Sequence, residues 1–275
     1  MENIIAKLKK YKVVPMFITI ILIFGRIFLY YAAKHKELYL EHDYMYSVIN
    51  YLVILAALLI YINNKKVRWI YFAFLIILAA VNTAGIYKSV SNVEFQQNFT
   101  NGKNSFIVIE KKDDPEFSLV YVKKHKIFIR LGDKLKIKDG YKPFSNGAYK
   151  VIWLNNEKVL VKFEYSSIHK AKGEILNFTN VNGAYSNVLG GLEGTWTDKN
   201  NKGNTFTFDR GQITFKTGSE IYWYSSSLSD EQGNYGSILY GANDTPNLFI
   251  LKNDDNTITA GYTNIKNDSK SIYSK

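Results

Sequence analysis

The stretch VVPMFITIILIFGRIFLYYAA, Val13 to Ala33, is apolar apart from Thr19 and Arg26. As a helix rising about 1.5 Å per residue it reaches about 30 Å, the thickness of a bilayer's hydrocarbon core. Two more apolar runs follow: Tyr46 to Ile62, containing VILAALLIYI, and Trp69 to Tyr87, containing YFAFLIILAAV. The connection Asn63, Asn64, Lys65, Lys66, Val67, Arg68 is too short for anything but a turn between antiparallel helices. Residues 1–90 thus read as three transmembrane helices.

The lysines set the expected orientation. Lys7, Lys9, Lys10 and Lys12 precede the first run, and Lys65, Lys66 and Arg68 separate the second from the third. Positive residues stay on the cytoplasmic side, so both places read as cytoplasmic. The loop KHKELYLEHDY after the first run balances its lysines with acids and reads as outer. Three crossings then put the rest of the chain outside the cell membrane. A cleaved signal peptide competes for the first run, but the run is longer than an h-region and Tyr31 stands where cleavage wants a small residue. Both readings leave the C-terminal part extracytoplasmic.

The net charge of +11 is unevenly placed, and that weighs against a nucleic-acid partner. Residues 1–90 carry 11 Lys/Arg against 4 Asp/Glu, a net of +7, much of it beside the apolar runs. With no cysteine, disulfides, thiolate nucleophiles and thiolate metal sites are excluded together.

From Ser91 onward the period changes to two. Val159, Val161, Phe163 and Tyr165 alternate with Lys158, Leu160, Lys162 and Glu164, as in a strand with one buried face. SFIVI, SLVYV, KIFIR, KLKIK and AYKVIWL read likewise; Asn155 and Asn156 mark a hairpin turn, and Asp139 to Gly147 a loop. Residues 91–179 form a basic membrane-proximal β module, 180–193 a glycine-rich linker, and 194–275 a second antiparallel module of short strands, a sandwich or small barrel.

Gly194, Thr195 and Trp196, at the head of that second series, resemble the opening strand of lipocalin-like (calycin) domains. The likeness covers the C-terminal module and rests on this tripeptide. It implies a barrel whose interior is lined for an apolar or envelope-derived ligand. The layout as a whole looks like small multi-pass membrane proteins of Gram-positive bacteria, some of which are immunity or envelope-stress factors.

No catalytic, cofactor-binding or metal motif emerges. His35, His42, His125 and His169 lack metal-ligand spacing, and Gly190, Gly191 and Gly194 lack the Lys-Ser/Thr of a phosphate loop. Three sets of residues remain as candidates. Arg26 is the charge inside a span, a functional residue or one that snorkels to the headgroups. His35, Glu41, His42 and Asp43 share the outer loop, where they form a cation-binding or titrating cluster or simply a solvated surface. Trp196, Tyr222, Trp223 and Tyr224 supply rings for ligand or partner contact, or for the core. The expected function is a non-enzymatic, membrane-anchored binding module that engages an envelope polymer, lipid or protein outside the cell. An immunity or resistance protein against a membrane-acting toxin, and a sensor or transporter accessory subunit, are the alternatives.

Overall fold

Three helices open the chain: α1, Val13–Lys36; α2, Tyr44–Leu58; and α3, Lys65–Asn92. The computed structural model describes residues 13–123, 126–178, 188–232 and 235–275. Lys7, Lys9, Lys10, Lys12 and His125 lie outside the described residues, as does most of the expected linker. By length and composition α1 and α3 suffice to cross a bilayer, with mean hydropathies of 2.2 and 2.0. Their large apolar side chains face outward, Phe24 66 % and Ile76 68 % exposed, and a membrane protein surrounded by lipid is compatible with that surface. α2 is shorter than its apolar run. Its 15 residues rise about 22 Å, and beyond Leu58 the Leu59 and Ile60 amides bond back to Ala56 and Ala57.

The α2–α3 turn forms as the short connection predicts. Asn64 caps α3, its side chain accepting from the Lys66 and Val67 amides. The two helices run antiparallel, packing Ile54 and Ala57 against Leu75 and Ala79. Tyr71 donates to the Ala57 carbonyl at 2.8 Å, and the Tyr51 hydroxyl lies 2.5 Å from that of Thr83. Among the small residues of α3, Ala79 makes this contact; Ala80, Ala84 and Gly85 face away from it.

α3 passes into the first long strand without a loop: it ends at Asn92, and β2 is Val93–Thr100. β3 (Ser105–Lys111), β4 (Phe117–Lys123) and β5 (Phe128–Lys136) complete an antiparallel meander. Parts of KIFIR and KLKIK, expected as separate strands, join in this one strand β5, which holds Phe128–Arg130 of the first and Lys134–Lys136 of the second, and a register shift between Val120 and Tyr121 accommodates the join. A further strand, β1 (Leu38–Leu40), comes from the α1–α2 connection and pairs with β5. β6 (Tyr149–Trp153), β7 (Lys158–Glu164) and β8 (Ala171–Asn177) form a second sheet.

The two sheets pack face to face. Phe106, Val108, Val120 and Leu135 of the first meet Val159, Val161, Phe163 and Leu176 of the second. Glu110, fully buried, ties the 139–147 loop to this sandwich: it accepts from the Ser118 hydroxyl, the Phe144 and Ser145 amides and the Ser145 hydroxyl.

The C-terminal strands are β9 (Gly194–Asp198), β10 (Thr205–Asp209), β11 (Gln212–Thr217), β12 (Glu220–Ser225), β13 (Ser229–Gln232), β14 (Gly236–Leu239), β15 (Leu248–Lys252), β16 (Ile258–Tyr262) and β17 (Lys270–Ser274). Each pairs antiparallel with its successor except β12 with β13, and β17 pairs with β9. The result is a barrel-like sheet, nearly closed, whose gap lies between β12 and β13. At the β10–β11 hairpin Arg210 and Gly211 both have positive φ, the two-residue turn that matches strand twist. Trp196, Phe206, Phe215, Tyr224, Ile250 and Tyr273 are among the side chains filling the interior. Part of the expected linker belongs here: Leu189–Leu192 makes a 3-10 turn with Leu189 and Leu192 buried against that core.

β7 has two buried faces, where one was expected. Its Leu160, with Ile175 of β8, packs on Ile238, Phe249 and Leu251 from the outer wall of the barrel. The second sheet is thus a middle layer, and Lys162, on the face read as polar, is 1 % exposed. Its ammonium donates to the Asn264 and Asn267 carbonyls and lies 4.0 Å from Asp268. Burial draws its pKa down to about 8.

Candidate functional site

Arg26 sits ten residues before the end of α1, about 15 Å along the axis from Lys36. Its Nε donates to Asn50 Oδ1 at 3.2 Å. Asn50 Nδ2 donates to Asn82 Oδ1 at 3.0 Å, and Asn82 Nδ2 to the Ser47 carbonyl at 3.0 Å. The guanidinium carbon lies 4.8 Å from the centroid of the Tyr46 ring. Three helices thus contribute to one polar chain within apolar surroundings. It opens on a groove of about 690 Å³, walled by apolar residues such as Ile23, Ile27, Ile54, Leu78 and Val81. No carboxylate pairs with Arg26 among the described residues.

In the sequence Arg26 stands out by its charge, and its partners do not. Asn50 and Asn82 are neutral and stand singly in apolar runs, so only the rotation of each helix shows that they meet. An uncharged amide in an apolar helix was the available signal.

His35, at the end of α1, and Glu41, His42 and Asp43, in the α1–α2 connection, are not gathered into an ion site among the described residues. Glu41 pairs with Lys123 of β4 at 2.9 Å and Asp43 with Lys111 of β3 at 3.0 Å. His42 Nδ1 lies 3.2 Å from Gln96 Nε2 of β2 and its ring stacks on Tyr44; the His35 ring lies 4.4 Å from that of Tyr31. Among the described residues no three His, Asp or Glu side chains are grouped to hold a metal. The loop read as solvated is instead stitched to the first sheet, through β1 and through these charge pairs. The sequence hid this because a three-residue strand carries almost no periodicity.

The four aromatic candidates separate by strand alternation. Trp196 is 6 % exposed, its Nε1–H donates to the Leu192 carbonyl at 2.7 Å, and the Lys275 ammonium lies over its ring. Tyr224 is buried and donates to the Pro246 carbonyl at 2.8 Å; burial raises its pKa. Tyr222, half-buried, bonds Glu220, and that hydrogen bond pushes its pKa up to about 12. Trp223 alone of the four points outward, 69 % exposed, beside Ile221 on β12. Side chains fill much of the barrel interior; a cleft of about 260 Å³ reaches its core residues Phe206, Phe215, Leu248 and Tyr273, and another of about 180 Å³ lies beside Leu189, Phe208 and Ile213.

Compared with known protein families and with curated proteins, the chain matches none.

Proposed function

We propose that this chain is a multi-pass membrane protein with three crossings and a cytoplasmic N-terminus, and that it holds its β region outside the cell as a non-enzymatic module binding an envelope component. The observation that carries the reading is the junction between helices and sheet. α3 runs into β2 with no linker, β1 docks on β5, and Lys111–Asp43 and Lys123–Glu41 tie the remaining slack. A β region joined this way is held at the bilayer surface, facing lipids and whatever lies against them. The ends of α1 and α3 meet the same sheet, which supports placing them on one side with α2 returning between them. Apolar residues 59–62 extend the short α2, and Lys65, Lys66 and Arg68 sit where they reach headgroups.

A sensor or accessory reading has one observation in its favour. The Tyr46 hydroxyl accepts the Leu40 amide of β1 at 3.1 Å while its ring faces Arg26, so helix groove and sheet edge share a residue.

Protease treatment of intact cells tests the topology. Cleavage within residues 91–275 is expected, and a fully protected β region overturns the arrangement. Binding is tested with the full chain in nanodiscs incubated with envelope extract, with lipid, wall-polymer and protein fractions assayed separately. Retention of a component from one fraction is expected; retention of nothing from any fraction overturns the binding reading.

A further inference from the structure

We infer that the groove at Arg26 is a binding site for the anionic phosphate headgroup of a membrane lipid, with the apolar walls receiving its acyl chain. This rests on the reading that the helices cross a bilayer. The guanidinium is the starting point. A cation at this depth in α1 is stabilised by a counter-charge, and the acid lining the groove, Asp43, is already engaged by Lys111. The Asn50–Asn82–Ser47 chain commits both amide side chains as donors elsewhere, which leaves Asn50 Oδ1 as the acceptor that fixes Arg26 Nε. With Nε anchored and the Tyr46 ring beneath, the two terminal amino groups have no protein partner among the described residues. A planar pair of N–H donors held in one orientation is what a phosphate's paired oxygens fit, bidentate.

The rest of the groove has the complementary character. Its volume of about 690 Å³ falls in the range of ligand sites, about 300–1,000 Å³, and its walls are mainly aliphatic, opening on the exposed apolar surface of the helices. A small soluble anion would leave those walls unfilled; a lipid fills both parts at once. Gly85 lines the groove, and a Cβ placed there meets nothing within 4 Å. A side chain added here starts from open space at the groove wall, so it is expected to occupy the groove and leave the Arg26–Asn50–Asn82 chain in place.

The test uses the full chain purified in detergent, with phosphatidylglycerol as probe and bound lipid counted by native mass spectrometry. Diacylglycerol and inorganic phosphate serve as the controls. One phosphatidylglycerol per chain is expected, not displaced by inorganic phosphate, with diacylglycerol held at least tenfold more weakly. Arg26→Gln should lower affinity by about tenfold or more. Gly85→Leu should lower it comparably while leaving thermal stability unchanged, which keeps the test decisive if Arg26→Gln fails to fold. Equal retention by wild type and Gly85→Leu, equal binding of diacylglycerol, or displacement by inorganic phosphate would each overturn the site. Carbonate extraction separates the two claims: a chain that stays in the membrane yet binds no phosphatidylglycerol refutes the site alone, and a chain that washes off refutes the membrane reading.

Discussion

Arg26 and Tyr46 are joined as cation and ring, the guanidinium carbon 4.8 Å from the ring centroid, across the α1–α2 interface. Tyr46 also accepts the amide of buried Leu40, so one side chain serves both the groove and the edge of the first sheet.

Tyr46→Phe keeps the ring and removes the acceptor. The Leu40 amide then loses its partner, at a cost of about 1–3 kcal/mol, and β1 is expected to loosen while lipid binding persists. Hydrogen exchange at Leu38–Leu40 faster than in wild type is the expected signature. Unchanged protection there would refute the link.

Glu110 is the buried anchor of the 139–147 loop. Glu110→Ala leaves the Phe144 and Ser145 amides and two hydroxyls without their acceptor. A loss of about 3 kcal/mol follows from stranding several buried donors, read as a lowered Tm of the full chain in detergent. Proteolytic nicking within 139–147 should appear at the same time.

Lys162 sets a pH dependence whose sign is fixed. Its folded pKa of about 8 lies below the ordinary 10.5, so between those values the unfolded chain binds more protons and stability rises with pH. Above about pH 10 the trend reverses, because burial holds the Tyr121, Tyr224 and Tyr273 pKa values above the usual phenol range and the unfolded chain ionises first. Denaturant midpoints of Lys162→Met should lose the rise across pH 8–10 and keep the fall above it.

Gly236 lets the barrel wall approach the middle sheet. A Cβ there would lie 2.8 Å from the Ile250 carbonyl oxygen and 3.0 Å from Ile175 Cδ1. Gly236→Ala is expected to destabilise the chain by about 1–3 kcal/mol through overpacking. Faster release of the C-terminal module in limited proteolysis would show that the strain falls on the contact between modules.

A fragment of residues 91–275 lacks β1 and bares the edge of β5, together with buried Ile129, which pairs with Tyr39. An open edge invites pairing with a second chain. Size-exclusion chromatography should show this fragment self-associating and a version carrying Leu38–Leu40 fused at its end doing so less.

What the sequence disclosed followed the strength of its periodicity. Val159, Val161 and Phe163 gave β7 at once, yet nothing local distinguishes a lysine on a wet face from Lys162 covered by a neighbouring module. The strand that joins the two halves of the barrel-like sheet, SIYS within β17, is too short and polar to announce itself, and β1 is shorter still. Gly194-Thr195-Trp196 marked the head of a strand correctly, while the alternation that sends Trp196 inward and Trp223 outward depends on which face meets the core. Arg26 was visible because charge is rare in an apolar run. Its surroundings were not, because the meeting of Asn50 and Asn82 is a property of how two helices are rotated.

The absence of a hinge between α3 and β2 has a mechanical consequence. At 28 residues α3 is about 42 Å long, longer than a hydrocarbon core of about 30 Å, and a long helix answers mismatch by leaning. If α3 crosses a bilayer as proposed, then with no loop at Asn92–Val93 and the other edge of the sheet held by β1, a lean of α3 would tilt the first sheet and the layers stacked on it. Membrane thickness would then be written directly into the attitude of the β platform, making it an inclinometer for the bilayer on which it stands.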